Sequence, residues 1–348
     1  MAHLNGKQKT EVVDRIKEQM YFLDIPGLVT GIWQEGEVVF EEAFGMADVA
    51  GNRRMKTGDI FHMASISKLF TATAIMQLHE TNQLNIHQKA LDYLPGLTPS
   101  SPTFEAVTIK DLLCHSSGLP DCEDYEWEKA RSDKNALGDY VMAQQHLSFV
   151  HQPGERFLYS NIAYEMLGYI VQKVSGMIFE DYCREHLFKP SGMGKSDFLK
   201  ASVPEELLVK PHIKDEHNRV MNSHIFPYNR SHAPSSTLYA PMSDLFQFTQ
   251  VILDTLAGKR DDILHQSTLK VMLQEHMGIK KAEAVGLGWF LSDYQGERFI
   301  GHEGNDIGFR TTYAIVPSKK ISIVVLANLQ KASTRKIMRL LYDAIQPK

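Results

Sequence analysis

The sequence predicts an α/β (α+β) fold: an antiparallel sheet built from both termini, flanked by helices, with an inserted helical lobe. Three observations carry that prediction. A β-rich hairpin pattern lies near the start of the chain, and strand-like runs joined by short turns fill the last seventy residues. The long middle reads as helix and loop. The 348 residues are taken as one domain, with an α/β lobe of about 1–80 plus 280–348 and a helical lobe of about 81–279.

In chain order, an amphipathic helix comes first, with Val12, Val13, Ile16 and Met20 on one face. Gly27 to Trp33 and Val38 to Phe44 form a hairpin around Gln34-Glu35-Gly36-Glu37, which has turn chemistry. A helix follows from about Ser65 to His79. The middle holds a helix over Ile162 to Val174 and another near Leu245 to Leu256, with Ser243 as its N-cap. Leu287 to Leu291, Arg298 to His302, Phe309 to Val316 and Ile321 to Ala327 read as successive strands. Pro317-Ser318-Lys319-Lys320 makes one of their turns, and a last helix runs from about Ser333 to Ile345. A cleft between the sheet and the helical lobe is the expected place for a site.

Composition narrows the function. Hydrophobic residues at 43% and charged residues at 23% describe a globular chain, not a disordered or fibrous one. A net charge of −5 gives no electrostatic reason to bind nucleic acid or an anionic membrane. Cys114, Cys122 and Cys183 make neither a disulfide framework nor a Cys-x-x-Cys pair. Apolar runs such as Leu69 to Leu78 are too short for a membrane span, which needs about 20 residues. Met1 to Met20 lacks a signal-peptide core, so the sequence as written predicts a cytoplasmic protein. A signal already removed would instead leave a periplasmic or secreted one.

The helix after Ser65 carries Ile66, Leu69, Phe70, Ala72, Ala74, Ile75, Met76 and Leu78 all around its axis, the pattern of a buried helix. Its one full charge is Lys68. A buried ammonium loses its proton or finds a partner, and Ser65 lies one turn earlier on the same face. Two readings fit. Lys68 activates a Ser65 nucleophile at a helix N-terminus, or Ser65 is a plain N-cap and Lys68 reaches to solvent. Ser267/Lys270 and Ser333/Lys336 repeat the spacing on polar helix starts and read as surface.

Tyr159-Ser160-Asn161 stands on a loop running into a helix. Either Ser160 or Asn161 caps that helix, or Tyr159, its pKa lowered by a protonated lysine, acts as a general base. His302-Glu303-Gly304 stands at a strand end, as a site element or as a hairpin turn using Gly304 and Asn305 for positive φ. His276-Met277-Gly278 has the same letters without a strand context and is discounted.

Together these elements resemble the serine β-lactamase and penicillin-binding-protein superfamily, specifically its class C β-lactamase-like branch with esterases and D-amino-acid peptidases. The family pattern is Ser-x-x-Lys, Tyr-x-Asn, then Lys-Thr-Gly or His-x-Gly on a strand. Ser65/Lys68, Tyr159/Asn161 and His302/Gly304 match it in order. Leu112 to Pro120, Pro153-Gly154-Glu155 and His232-Ala233-Pro234-Ser235-Ser236 look like the family too, so the resemblance runs from about Gly27 to Asn328.

The resemblance implies the β-lactamase/transpeptidase-like fold and a two-step acyl transfer without metal or cofactor on a small-molecule or short-peptide substrate. Ser65 forms an acyl-enzyme while Lys68 and Tyr159 move its proton, and Tyr159 or its partner activates the deacylating water. Backbone N–H groups of Ser65 and Asn305 form the oxyanion hole, and Asn161 positions substrate and the Lys68 ammonium. His302 replaces the lysine of many members, and with a pKa of ~6.5 it is mostly neutral at pH 7. Glu303, where threonine is common, adds negative charge. Esters, amides and D-amino peptides therefore rank level with β-lactams. The alternative is a non-hydrolytic penicillin-binding or sensor module that is acylated without efficient turnover.

Three further signals are set aside. Gly194-Lys195-Ser196 lacks the upstream glycine of a phosphate loop, since Lys189 occupies it. His212, His217, His224 and His232 match no metal spacing and read as exposed loop histidines. No Gly-x-Ser-x-Gly elbow points to an α/β-hydrolase.

Overall fold

A computed structural model describes residues 5–346. Nine strands form one antiparallel sheet: β1 (Gly27–Gln34), β2 (Glu37–Asp48), β3 (Arg53–Arg54), β4 (Met277–Lys280), β5 (Glu283–Val285), β6 (Phe290–Tyr294), β7 (Glu297–Asp306), β8 (Phe309–Val316) and β9 (Ile321–Ala327). Their order is β3-β2-β1-β9-β8-β7-β6-β5-β4. The two ends of the chain meet where β1 pairs with β9, Leu28 opposite Ala327 and Gln34 opposite Ile321. Thr30 Oγ1 donates to the Val324 carbonyl across this seam at 2.7 Å.

Both faces of the sheet are covered, and the pleat sorts its side chains between them. Leu28, Ile32, Ile323 and Val325 pack with Val12, Ile16 and Met20 of α1 (Gly6–Leu23). Val29, Trp33, Val324 and Leu326 face the helical body. That body is centred on α2 (Ser67–Glu80), whose residues from Ser67 to Met76 are all buried. Packed around it are α3 (Asn161–Ser175) and the short α4 (Ala233–Ser236), while α5 (Met242–Leu256) lies on β1 and β9 and meets α2 through Phe248 on Phe70. α6 (Thr334–Ala344) lies beside α1 on the outer face.

Several expectations need correction. Leu287 to Trp289 is not strand: Leu287 and Gly288 donate their N–H groups to the carbonyls of Met272 and Leu113, so the ladder begins at Phe290. Gly288 has φ +84°, and a Cβ there would lie 2.3 Å from that of Ala72. Ser243 is not a cap, because α5 begins at Met242 behind Pro241. Ser65 belongs to a 3-10 turn (Ala64–Ile66) that feeds α2. Met277 and Gly278 of His276-Met277-Gly278, discounted for want of a strand, open the strand at one end of the sheet, Met277–Lys280. His302 lies inside β7 rather than at its end, and the β7–β8 turn falls on Ile307 and Gly308, with φ +75° at Gly308.

His212 and His232 are buried, not exposed, whereas His217 and His224 are at the surface. His212 Nε2 accepts the Val49 N–H, and His232 meets a buried carboxylate described below. Among the described residues no helix is long and apolar enough to cross a membrane.

Candidate active site

Ser65 sits where a short strand meets α2. Phe61–His62 pairs with Tyr239–Ala240, and the chain then turns through Ala64, which holds φ +49° although fully buried. A non-glycine residue in that conformation costs about 1–3 kcal/mol and is kept where surrounding contacts impose it. Two contacts do so. Ser67 Oγ donates to the Ala64 carbonyl at 2.7 Å, and Thr311 Oγ1 of β8 donates to the Met63 carbonyl at 2.9 Å.

Gly304 belongs to the same arrangement. A Cβ there would lie 2.3 Å from the Met63 carbonyl oxygen and 2.9 Å from the Ala64 Cβ, so β7 approaches the Ser65 turn only with glycine. His62 Nε2 donates to Asp306 at 2.8 Å, a buried link between the residues before Ser65 and the end of β7.

Helical spacing brings Lys68 back to Ser65, as the sequence suggested. Lys68 is wholly buried, so the reading in which it reaches to solvent fails. Its Nζ donates to Ser65 Oγ at 3.1 Å, to Asn161 Oδ1 at 2.5 Å and to the Ser235 carbonyl at 2.9 Å. Burial pushes its pKa down to about 8, while Glu165, Asp121 and Asp306 oppose that shift. Tyr159 donates its hydroxyl to Ser65 Oγ at 2.8 Å.

The expected lowering of the Tyr159 pKa is reversed. Burial pushes it up, with Asp121, Asp306 and Glu165 adding to the rise against the Ser65 hydrogen bond. Tyr159 therefore holds its proton while Lys68 gives one up readily.

Ser160, not Asn161, caps α3, accepting the Ala163 N–H. Asn161 is oriented by Asp121, whose Oδ1 accepts both its backbone N–H and its Nδ2–H at 2.8 Å. That fixes the amide so that its oxygen faces Lys68.

The opposite wall is β7. His302 is buried, and its Nδ1–H donates to the Glu303 carbonyl at 2.6 Å, which leaves the lone pair on Nε2. Burial first and Lys68 second push its pKa down to about 3, so the imidazole is neutral.

Glu303 does not leave the negative charge the sequence suggested. It is paired with Arg310 at 2.7 Å and with Arg335, which also holds Glu283 at 3.0 Å. Asn305 stands opposite Arg310, next to the pair Asp306/Phe309 that closes the two-residue turn. The closing pair is the hydrogen-bonded one, and bonding alternates along an antiparallel ladder. The Asn305 N–H therefore points away from β8. β6 pairs with β7 only as far as Gly301, which leaves that edge open toward the cleft.

Ser65, Tyr159 and Asn161 on one side and His302 to Asp306 on the other line a cleft of about 400 Å³. The structure thus gathers Ser65, Lys68, Tyr159, Asn161, His302, Gly304 and Asn305 in one place. Sequence reasoning missed Asp121, Glu165 and the Arg310/Arg335 pair. Glu165 carried a usable signal, as an acidic residue within the apolar run of α3, four positions after Asn161.

Comparison with known proteins shows the family and the fold. The family model described as Beta-lactamase matches residues 12–346. The chain is 26% identical over 312 residues to "Penicillin-binding protein 4*" of Bacillus subtilis (strain 168), covering 85% of this chain and 66% of that protein. It is 28% identical over 316 residues to "Protein flp" of Staphylococcus aureus (strain MW2), covering 90% and 62%. The chain thus spans a little under two thirds of the length of these relatives.

Among solved structures, the octameric penicillin-binding protein homologue from Pyrococcus abyssi superposes with a TM-score of 0.86 at 25% identity, over 97% of this chain and 76% of that one. A penicillin binding protein from Bacillus halodurans shares the fold, with a TM-score of 0.78 at 23% identity over 94% and 98%.

Proposed function

Because this chain belongs to the β-lactamase family, we propose that it is a serine acyl hydrolase that cleaves an amide or ester through an acyl-enzyme on Ser65. One observation carries the reading: Ser65 Oγ lies within hydrogen-bond reach of both Lys68 Nζ and the Tyr159 hydroxyl. A serine is a weak nucleophile until a neighbouring base takes its proton. With Lys68 near 8 and Tyr159 pushed upward, Lys68 is the group that takes it.

Ser65 Oγ attacks the carbonyl carbon as its proton passes to Lys68. The oxyanion rests against the Ser65 and Asn305 N–H groups, each such donor being worth roughly 10²–10³ in rate. Tyr159 hands its proton to the leaving group and is reprotonated from Lys68. Water then attacks the acyl-enzyme with Lys68 again accepting, through Tyr159, and Ser65 is restored. Asn161, held by Asp121, orients both the substrate and Lys68.

The substrate is a β-lactam, a D-amino peptide or a short carboxylic ester. A neutral His302 disfavours dependence on a substrate carboxylate at that position. Initial rates on a short-chain p-nitrophenyl ester and a chromogenic cephalosporin, for the parent and Ser65→Ala, test this reading. Ser65-dependent turnover of either supports it, and the one turned over sets the substrate class. A single stoichiometric burst without turnover marks the acylated sensor instead.

A further inference from the structure

Beyond Ser235 lies a group of buried ionisable side chains that the acyl-transfer steps do not use. Glu165 is wholly buried, four residues after Asn161 and hence on the same face of α3. Its Oε1 accepts from His232 Nδ1 at 3.1 Å and from Ser235 Oγ at 2.5 Å. Its Oε2 is buried without a partner. The carbonyl of the same Ser235 accepts from Lys68 Nζ. One residue of α4 thus touches the carboxylate through its side chain and the lysine through its backbone.

The packing fixes this contact. Thr71 Oγ1 of α2 donates to the Pro234 carbonyl at 2.6 Å, and Pro234 rests on Gly168 of α3, where a Cβ would lie 2.0 Å from its Cγ. Three helices therefore close on the Ser235 position, and Lys68 and Glu165 are both wholly buried. A buried carboxylate is costly unless paired and hydrogen-bonded. Its full complement here is one imidazole, one hydroxyl and the nearby ammonium.

We propose that Glu165, held by His232 and Ser235, is the counter-charge of Lys68 and governs how readily that lysine releases its proton. The proposal rests on Lys68 being the base of the reaction above. Glu165 is a positioning residue, since it does not line the cleft.

Other groups act on the pair from every side. Around Lys68 stand Ser65, Tyr159, Asn161 and the Tyr164 ring, with Asp121 and His115 from the segment before α3 and Asp306 and His302 from β7. Around Glu165 and His232 stand the rings of Tyr125, Trp127 and Tyr140 and the Cys122 thiol. Of the carboxylates facing Lys68, Glu165 acts on it most strongly, ahead of Asp121 and Asp306. Removing its charge leaves burial less opposed, so the ammonium is lost at lower pH.

The test is titration of Lys68 by NMR in protein labelled with 13Cε-lysine, the signal assigned by its loss in Lys68→Arg. Glu165→Gln should lower the Lys68 midpoint by on the order of one pH unit. The acid limb of kcat/KM should move by the same amount, giving about tenfold faster reaction, relative to plateau, on that limb. An unmoved midpoint in folded Glu165→Gln overturns the proposal, as does a uniform loss of activity at every pH with the limb in place. Ser235→Ala supplies the same readout if Glu165→Gln does not fold. It should shift the midpoint by a smaller amount in the same direction, and no shift overturns the proposal. The NMR midpoint is readable without turnover, so failure of the hydrolase reading remains distinct from failure of this one.

Discussion

The two walls of the cleft are built on opposite plans. The helical wall holds Lys68, Asn161 and Glu165 under complete or nearly complete burial, each with hydrogen-bonding partners fixed by packing. The strand wall carries Glu303 and Arg310, and Arg335 reaches it from α6; all three are partly exposed, and both arginines pair with Glu303. Low dielectric makes each charge on the first wall consequential, whereas solvent screens those on the second. In the proposed reaction this difference is a division of labour, with proton transfer assigned to the buried wall and substrate preference to the exposed one.

The largest effects should therefore come from the buried wall. Ser65→Ala is expected to lower turnover by roughly 10⁴-fold or more. Circular dichroism should show the fold unchanged, since Ser65 makes no packing contact that alanine cannot. Tyr159→Phe keeps the ring stacked on His115 but removes the proton donor. A fall in kcat of about 10²–10⁴-fold with KM little changed would match its proposed role.

The pH profile should show the same asymmetry. Lys68 acts when neutral, so the rate should rise with pH through about 8. His302, pushed down to about 3, and Tyr159, pushed above its ordinary value, should add no limb in the neutral range. A second ionisation near pH 6 in kcat/KM would instead bring a strand-wall histidine into the chemistry.

Gly168→Ala probes the packing behind Lys68. The added methyl meets Pro234, and overpacking of this kind costs about 1–3 kcal/mol. Urea denaturation should show the lost stability, together with a lower kcat as the Ser235 carbonyl moves.

The smallest change should come from Glu303→Gln, which frees Arg310 and leaves Arg335 paired with Glu283 alone. An exposed pair is worth up to about 1 kcal/mol, so KM for an anionic substrate should fall by no more than about fivefold, with kcat held. A large drop in kcat would contradict the division between the walls.

The sequence made the two plans unequally legible. β8 and β9 stand where their β-rich runs placed them, Phe309–Val316 and Ile321–Ala327, because turn residues bound them tightly on both sides. Leu287-Gly288-Trp289 misled, because an apolar run says that residues are buried without saying whether a ladder or a helix takes their N–H groups. The spacing of Ser65 and Lys68 and the loop before α3 left two readings open at each position, and the resemblance of the three motifs together singled out Ser65, Lys68, Tyr159 and Asn161, which the structure brings to one place. His232 was misjudged, because residue type carries no statement about burial, and Glu165 was legible only as an acidic residue within an apolar run, without its partner. Their pairing joins positions 67 residues apart, which no local pattern encodes. The same holds for Glu303, whose charge looked free until α6 supplied Arg335 from across the fold.

The proposed reaction requires a covalent acyl group on Ser65, formed with Lys68 as base. Acid-quenching the enzyme during turnover of a p-nitrophenyl ester, followed by intact-mass measurement and peptide mapping, tests it most directly. The expected result is the mass of the acyl group on the peptide containing Ser65, absent from Ser65→Ala. An acyl group on another residue, or undiminished turnover by Ser65→Ala, would contradict it.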